Sequence, residues 1–404
     1  MSLSRKIKEN EKSVLETFQK EIPSIYYSDK SEKEFLEYKK NAEYKYRQLF
    51  KFPPKMFQGQ KLIDFGAGTG ENTVYLANWG AKCTLVEMND KAQKISKEIF
   101  KKYTNNFNEH KFIHSSIFDY DSPKDYETYD IVHCRGVLSH TADKEGAFAK
   151  ISKFLKPGGF LIFGDPNKAG GFQNMLQRYA VYTFADNWEK MIKVSEDFFK
   201  DDIDRAQKFG NRTRNCIIFD RWVVQCQDDP TVSEVLKMFQ KNKLKLYSSY
   251  PPFIPSFMSD SYFNFPKFSL NDHQDIGVVS EALWMIYNES DSSEIPKILE
   301  SANKMAPHQY KLINYISNCN KDTKIENKTM DQNITEYSRA LESLDLTNYL
   351  KEKMKVMLSE VKILLKHLNN KDYENTKKTI KNSKHLFRGA TGVRHVDFIG
   401  YKDL

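Results

Sequence analysis

From Lys61 to Asp165, short apolar runs alternate with stretches in which apolar residues recur every three or four positions. That pattern predicts parallel strands joined by crossover helices. Leu62-Ile-Asp-Phe65 reads as a buried strand ended by the turn Gly66-Ala-Gly-Thr-Gly70, and a helix follows from about Glu71 to Trp79 until Gly80 stops it. Cys83 to Met88 is the second strand, Asn89 or Asp90 caps the next helix, and Phe112 to Ile117 is the third strand. Asp130 to Cys134 is the fourth. Asp143 caps a helix carrying Ala147, Phe148, Ile151 and Leu155, and Lys156-Pro-Gly-Gly159 breaks it before the fifth strand, Phe160 to Gly164.

Beyond Asp165 the pattern becomes aromatic and mostly helical over 172–210. Thr231-Val-Ser-Glu234 has capping-box spacing and opens a helix through Phe239, followed by the strand Lys243 to Tyr250, which Pro251, Pro252 and Pro255 end. Segment 251–389 reads as helices joined by polar linkers, 317–333 being the clearest. Leu350, Met354, Met357, Val361, Leu364 and Leu368 follow 4-3-4-3-4 spacing over fewer than three heptads, which favours a packed bundle helix over a dimeric coiled coil. Gly392 to Lys402 is a strand returning beside Lys243 to Tyr250, so that 251–389 is an insertion.

Composition limits the functional classes. The 404 residues are 40% hydrophobic and 29% charged, which suits a globular protein and excludes a disordered or collagen-like chain. No apolar run approaches the ~18 residues of a membrane span, and the polar start MSLSRKIKENEK has no signal-peptide core, so a cytoplasmic protein is expected. The cysteines at 83, 134, 216, 226 and 319 have no metal-site spacing, and no metal is expected. The net charge of +8 invites a nucleic-acid reading, but residues 1–60 carry 13 Lys/Arg against 9 Asp/Glu, residues 291–404 carry 20 against 15, and the middle 29 against 30. The excess is a lysine background on the flanking helices, so solvated faces are expected rather than a nucleic-acid footprint.

The chemistry concentrates at the first turn. Gly66, Gly68 and Gly70 end a strand and open a helix, letting the backbone turn tightly and a ligand approach closely. Glu87 closes the second strand 17 residues after Gly70, where a carboxylate can accept hydrogen bonds from both hydroxyls of a ribose. A dinucleotide fingerprint needs glycine at 71, where this chain has Glu71, so a dehydrogenase reading ranks lowest. Asp64 makes the turn acidic, which repels a pyrophosphate and suits a ligand with ammonium and sulfonium groups.

LIDFGAGTG, LVEMND, FIHSSIFD, YDIVHCRGVLSHTAD and LKPGGFLIF, in this order, resemble the class I S-adenosylmethionine-dependent methyltransferases, especially those with GVLHHT after strand four and LKPGG before strand five. The resemblance covers about 105 residues continuously and extends loosely to the segment from Phe219 to Pro252 and to the last strand. It implies a Rossmann-like α/β sheet, mostly parallel with an antiparallel last strand. The expected division is an N-terminal helical lid (1–57), a core (58–250) with an aromatic helical insertion near 166–225, a helical cover (251–389) and a last strand (390–404). It also implies S-adenosyl-L-methionine as cofactor and S-adenosyl-L-homocysteine as product. The turn Asp64, Gly66, Ala67, Gly68 and Gly70 would hold the methionine part, Asp64 ordering the loop or meeting the amino group. Glu87 would take the ribose, Met88 would pack on adenine, and Ser116 and Ile117 would flank its edge. Family members often have Asp at or beside position 116, so Asp119 is an alternative; Arg135 joins the cofactor set.

Methyl transfer needs in-line alignment, exclusion of water and, for some acceptors, removal of a proton. Candidate catalytic groups at the carboxyl ends of strands four and five are Arg135, Ser139, His140, Asp165 and Asn167. His140 is either a general base or a loop-fixing residue beside the cofactor, while His133 and His114 lie within strands and default to structure. Aromatics crowd the expected mouth, with Tyr26, Tyr27, Phe172, Tyr179, Tyr182, Phe257 and Tyr262 as the candidate substrate pocket; the alternative is that they pack the insertion on the sheet. The expected partner is a small molecule, with nucleic acid unexpected and a monomer or homodimer as the assembly. An RNA or protein methyltransferase and a catalytically inactive cofactor-binding scaffold are the alternatives.

Overall fold

The computed structural model describes residues 2–24, 29–210, 212–252, 276–285, 295–320, 323, 325–343, 348–387 and 395–404. Its centre is a sheet of β1 (Lys61–Phe65), β2 (Lys82–Glu87), β3 (Lys111–His114), β4 (Tyr129–Arg135), β5 (Leu155–Pro166), β6 (Leu244–Tyr250) and β7 (His395–Lys402), ordered β3-β2-β1-β4-β5-β7-β6. The first five strands pair in parallel, and β7 runs antiparallel between β5 and β6. This is the Rossmann-like class I arrangement, antiparallel last strand included.

Strands buried on both faces must be apolar on both, which is why β1 and β2 read as nearly continuous apolar runs. One face is covered by α2 (Glu32–Tyr44), α3 (Val74–Asn78) and α4 (Asp90–Tyr103), with Phe35, Val74, Leu76, Ile99 and Phe100 buried against Leu62, Leu85 and Ile131. The other is covered by α5 (Lys144–Ser152) and α9 (Val232–Lys241), with Phe148, Ile151, Leu236 and Phe239 packed on Val132, Phe163 and Phe398. Local signals set the helix starts. Asn89 caps α4, the Asp143 carboxylate accepts the Gly146 N–H at 2.9 Å, and Thr231 and Glu234 form the expected capping box on α9.

Ahead of the sheet lies α1 (Leu3–Lys20). After β5 come α6 (Phe172–Phe184), α7 (Trp188–Gly210), α8 (Arg214–Ile218) and a π-helical turn, Phe219–Val223; after β6 come α10 (Ile276–Trp284), α11 (Ile295–Ser317), α12 (Asn327–Glu342), α13 (Asn348–Asn369) and α14 (Tyr373–Asn382). Buried residues from 169–223 and from 278–387 share one hydrophobic cluster. A boundary drawn at 250 therefore separates two segments that bury each other. Within that cluster Met357, Val361, Leu364 and Leu368 are at most 1% exposed, so the stripe on α13 is core of this chain. Fully burying each such side chain contributes on the order of 2 kcal/mol.

Two local expectations change. Lys156-Pro-Gly-Gly159 does not precede the fifth strand but lies inside it: Leu155 already pairs with Tyr129, and the register then slips to Ile131 with Phe160, with Gly158 at φ +76°. The polar run 317–333 is not all linker, because α12 begins at Asn327 and buries Met330 and Asn333.

Strand order reverses between β1 and β4. From β1 the chain winds outward through β2 and β3; from β4 it winds the other way through β5. The crevice at the carboxyl ends of β1 and β4 is where such sheets hold ligands.

Candidate active site

The turn after β1 uses its three glycines differently. Gly66, Gly68 and Gly70 have φ of +67°, +54° and +75°. A Cβ on Gly66 would lie 2.5 Å from the Val137 side chain, and one on Gly70 would lie 2.6 Å from Ser96 Oγ, so these two admit neighbouring elements. Around a Cβ on Gly68 there is nothing within 4 Å, nor around one on Gly136 (φ +73°) after β4. These two glycines face open space.

That space is a cavity. Gly66, Gly68, Val86, Glu87, Met88, Ser116, Ile117, Gly136, Val137, His140 and Thr141 form its sheet side, and Asn10, Glu11, Val14, Leu15 and Phe18 of α1 form its roof. Positions 10, 11, 14, 15 and 18 make one helical stripe, so α1 presents its face to the cavity for the same reason that it is amphipathic. Polar contacts fasten the roof at both ends. Lys8 Nζ meets Asp119 at 2.6 Å, Asn10 Nδ2 donates to the His140 carbonyl at 2.7 Å, and Asn89 Nδ2 donates to the Phe18 carbonyl at 3.1 Å.

Glu87 is 8% exposed. Its Oε2 accepts the Gly68 N–H and its Oε1 the Asn89 N–H, each at 2.7 Å. Burial raises its pKa above the ordinary carboxylate range, with the Asn89 and Gly68 N–H groups opposing. Each oxygen keeps acceptor capacity for a further hydrogen bond. The carboxylate that fixes the loop is thus also available to a diol in the cavity.

Asp64, 2% exposed, lies beneath the loop. It accepts from the Thr73 hydroxyl and pairs with His133 Nδ1 at 2.8 Å, and Tyr46 Oη lies 3.4 Å from His133 Nε2. Of its two expected roles, the carboxylate takes the ordering of the loop. His133 and Asp64 are register partners across β4 and β1, a relation the two strand segments contain but do not announce.

Several expected positions lie elsewhere. Ala67 and Gly70 belong to the turn but do not line the cavity. Asp119 does not line it either, because Lys8 draws its half-exposed carboxylate to the surface. Arg135 points its guanidinium to Asp397, with Nε–Oδ1 at 2.5 Å and Nη2–Oδ2 at 3.1 Å. Asn167 acts as a connector, since its Oδ1 accepts the Ala169 and Gly170 N–H groups at 3.0 Å and its Nδ2 donates to Glu281 at 2.8 Å. Asp165 is 2% exposed and accepts from the Ser139 N–H and hydroxyl at 3.1 and 3.2 Å. Burial, and then Asp229, push its carboxyl up to about 8, with Ser139 opposing.

Phe172, Tyr179 and Tyr182 are corrected from pocket to core. They belong to the helical cluster at 6% exposure or less, Tyr179 bonding Asn369 and the Ile325 N–H and Tyr182 the Val224 carbonyl. Aromatic density reported how the helices pack. Tyr26, Tyr27, Phe257 and Tyr262 lie outside the described residues.

His140 does reach the cavity. Its Nδ1 lies 2.9 Å from the Cys226 carbonyl, which can only accept, so Nδ1 carries the hydrogen and the lone pair of the neutral ring is on Nε2. The Phe18 ring packs edge-on at 5.5 Å. Asp220 of the π turn is also close; Arg212 first, and His140 after it, bring its pKa below the ordinary carboxylate range against burial.

Residues 38–206 match a family model described as a methyltransferase domain. Over that segment the match agrees with the class I S-adenosylmethionine-dependent methyltransferase motifs of the chain. Among curated relatives, the mitochondrial ubiquinone biosynthesis O-methyltransferase of Schizosaccharomyces pombe is 26% identical over 166 residues, 41% of this chain and 57% of that one. The dimethylglycine N-methyltransferase of Parasynechococcus marenigrum is 27% identical over 122 residues, 29% of this chain and 41% of that one. The chain spans about half the length of the curated relatives it matches. Among solved structures, the magnesium protoporphyrin IX methyltransferase of Synechocystis with bound S-adenosylmethionine is similar at 12% identity and a TM-score of 0.36, covering 59% of this chain and 88% of that one.

The cofactor of a methyltransferase domain of this class is S-adenosyl-L-methionine. The cavity fits it on its own evidence: two glycines whose missing Cβ atoms leave room, a carboxylate at the end of β2 with acceptor capacity to spare, and apolar Val86, Ile117 and Phe118 for a flat base.

Proposed function

We propose that the protein transfers a methyl group from S-adenosylmethionine to a small-molecule acceptor by direct in-line displacement. The observation that carries this reading is His140, its tautomer fixed by the Cys226 carbonyl, on the wall of the same cavity that holds Glu87, Gly68 and Gly136. When bound, the cofactor supplies an electrophilic methyl on a sulfonium. Glu87 would accept the ribose hydroxyls, Met88 would pack on the adenine with Ser116 and Ile117 flanking its edge, and the open space at Gly68 would take the methionine part. Asp64 acts through Thr73 and His133 to hold the loop in place. α1 roofs the cavity with Val14, Leu15 and Phe18 and excludes water from the reacting centre. His140 Nε2 would take the proton of an acceptor hydroxyl or amine as that group is methylated.

A roofed cavity favours a small acceptor over a polymer. A cytoplasmic setting fits five cysteines that are all free. No helix among the described residues is long and apolar enough to cross a membrane.

The test is incubation with methyl-labelled S-adenosylmethionine and a cell metabolite extract, with labelled products identified by mass spectrometry. A labelled small molecule is expected. Label found only in RNA or protein would overturn the small-molecule reading, and none anywhere would favour an inactive cofactor-binding scaffold.

A further inference from the structure

A second polar cluster sits at the carboxyl ends of β4 and β5, against the first residues of β7. At its centre is Asp397, 3% exposed. Beyond the two hydrogen bonds from Arg135, Lys45 Nζ lies 3.4 Å from its Oδ2 and His395 Nε2 lies 3.3 Å from its Oδ1. His395 Nε2 is also 3.3 Å from Arg135 Nη2. Nε2 thus lies between a guanidinium, which only donates, and a carboxylate, which only accepts; burial, the largest influence on this imidazole, lowers its pKa and favours the neutral ring, with Asp397 opposing.

With the imidazole neutral, the Lys45 and Arg135 cations face one buried carboxylate among the described residues. Burial first, and next Arg135, bring the pKa of the Lys45 ammonium down to about 8, with Asp397 opposing. The Phe50 ring lies 4.9 Å from Lys45 Nζ and 6.0 Å from Arg135 Cζ.

Two features of the backbone belong to this cluster. A Cβ on Gly164 of β5 would lie 2.1 Å from Asp397 Oδ1 and 2.9 Å from His395 Nε2, so β5 needs glycine there to admit it. Lys45 opens a π-helical turn, Lys45–Leu49, closed by Phe50 N–H to the Lys45 carbonyl at 3.0 Å; such turns are frequent at functional sites. Along the chain the cluster is next to the cavity: Arg135 Nη1 reaches Asn72 after the glycine turn at 3.3 Å, and the residue after Arg135, Gly136, lines the cavity.

We propose that Lys45 and Arg135, bridged by Asp397, form a carboxylate-binding subsite for the methyl acceptor, which makes the acceptor a small organic acid. This rests on the methyl-transfer reading. The surplus is about one unit charge, which matches a carboxylate rather than a dianionic phosphate, and a guanidinium fork with an adjacent ammonium suits a planar two-oxygen group. The same chemistry has a second source in the amino-acid carboxylate of the cofactor, and the experiment separates the two.

Full-length protein saturated with S-adenosylhomocysteine is mixed with acetate, succinate, benzoate and 4-hydroxybenzoate together with their primary amides, and binding is read by saturation-transfer NMR. Wild type is expected to saturate at least one acid several-fold more than its amide. K45M, which keeps an unbranched side chain without the charge, is expected to lose the difference, and K45R to keep it. In parallel, calorimetry compares S-adenosylhomocysteine with 5′-methylthioadenosine, which lacks the amino-acid part. The ratio of their affinities is expected to be unchanged in K45M. Equal saturation of acids and amides, or a preference that survives in K45M, overturns the subsite. A tenfold loss for S-adenosylhomocysteine alone in K45M assigns the carboxylate to the cofactor and overturns the acceptor. If wild type binds no S-adenosylhomocysteine, the methyl-transfer reading itself fails, and this proposal with it.

Discussion

Single residues at this site serve two ends, and their environments separate the roles. Glu87 is fixed by two backbone N–H groups and still has lone pairs for a ligand, whereas Asp64 is fully engaged beneath the loop. His140 has one nitrogen committed to Cys226 and one left for a proton. Replacing it with glutamine is expected to lower kcat by roughly 10²- to 10⁴-fold, with S-adenosylhomocysteine affinity within threefold of wild type. A loss of affinity equal to the loss of rate would reduce His140 to a loop-fixing residue. Asp165 makes a different prediction. Its carboxyl is pushed up to about 8 in the fold, so it stays protonated where the unfolded chain has already released its proton. Its contribution to stability is complete below about pH 4 and is lost as pH rises through about 8. Urea unfolding from pH 5 to 8.5 should show that decline, and D165N should flatten it; an unchanged slope would show that another group carries it.

At the scale of elements, much of the site was legible because it is local. The turn 66–70 and Glu87 announced themselves by spacing within one strand–turn–helix unit, and the Asn89, Asp143 and Thr231 caps lie within three residues of the groups they satisfy. The Lys45–Arg135–Asp397 cluster was not legible, because it joins an N-terminal helix, a central strand and the last strand, and no local pattern marks that meeting. Tyr179 and Tyr182 were misread for the opposite reason: their aromatic spacing is equally that of a pocket and of a helix packed on other helices. Two predictions belong here. G164A forces a methyl group into Asp397 and is expected to cost about 2–4 kcal/mol in denaturant unfolding, since it displaces a buried partner of Arg135. A cost below about 0.5 kcal/mol would mean that β5 and β7 are not so close. Deleting residues 2–20 removes the roof, and the dissociation rate of S-adenosylhomocysteine, followed by stopped flow, should rise at least tenfold with the sheet still folded. An unchanged rate would show that α1 does not cover the bound ligand.

Across the whole molecule, two bodies of core are joined. The sheet with its flanking helices supplies the cavity floor, and the helical body built from 169–223 and 278–387 stands beyond the carboxyl end of β5. Glu281 ties them, accepting from Asn167 and the Val232 N–H at 2.8 Å and from Tyr310 at 2.6 Å. The last strand of the sheet is contributed only at 395–402, after the helices of the preceding connection. The positive excess falls on those flanking parts, away from a nearly neutral centre. The claim on which the account turns is that the cavity under α1 holds S-adenosylmethionine through Glu87. Calorimetric titration of S-adenosylhomocysteine into wild type and E87A tests it most directly. Saturable one-to-one binding by wild type, weakened about 10- to 100-fold in E87A as two hydrogen bonds to a charged acceptor are lost, is the predicted result. Equal affinity in the two proteins, or no binding by wild type, would contradict it.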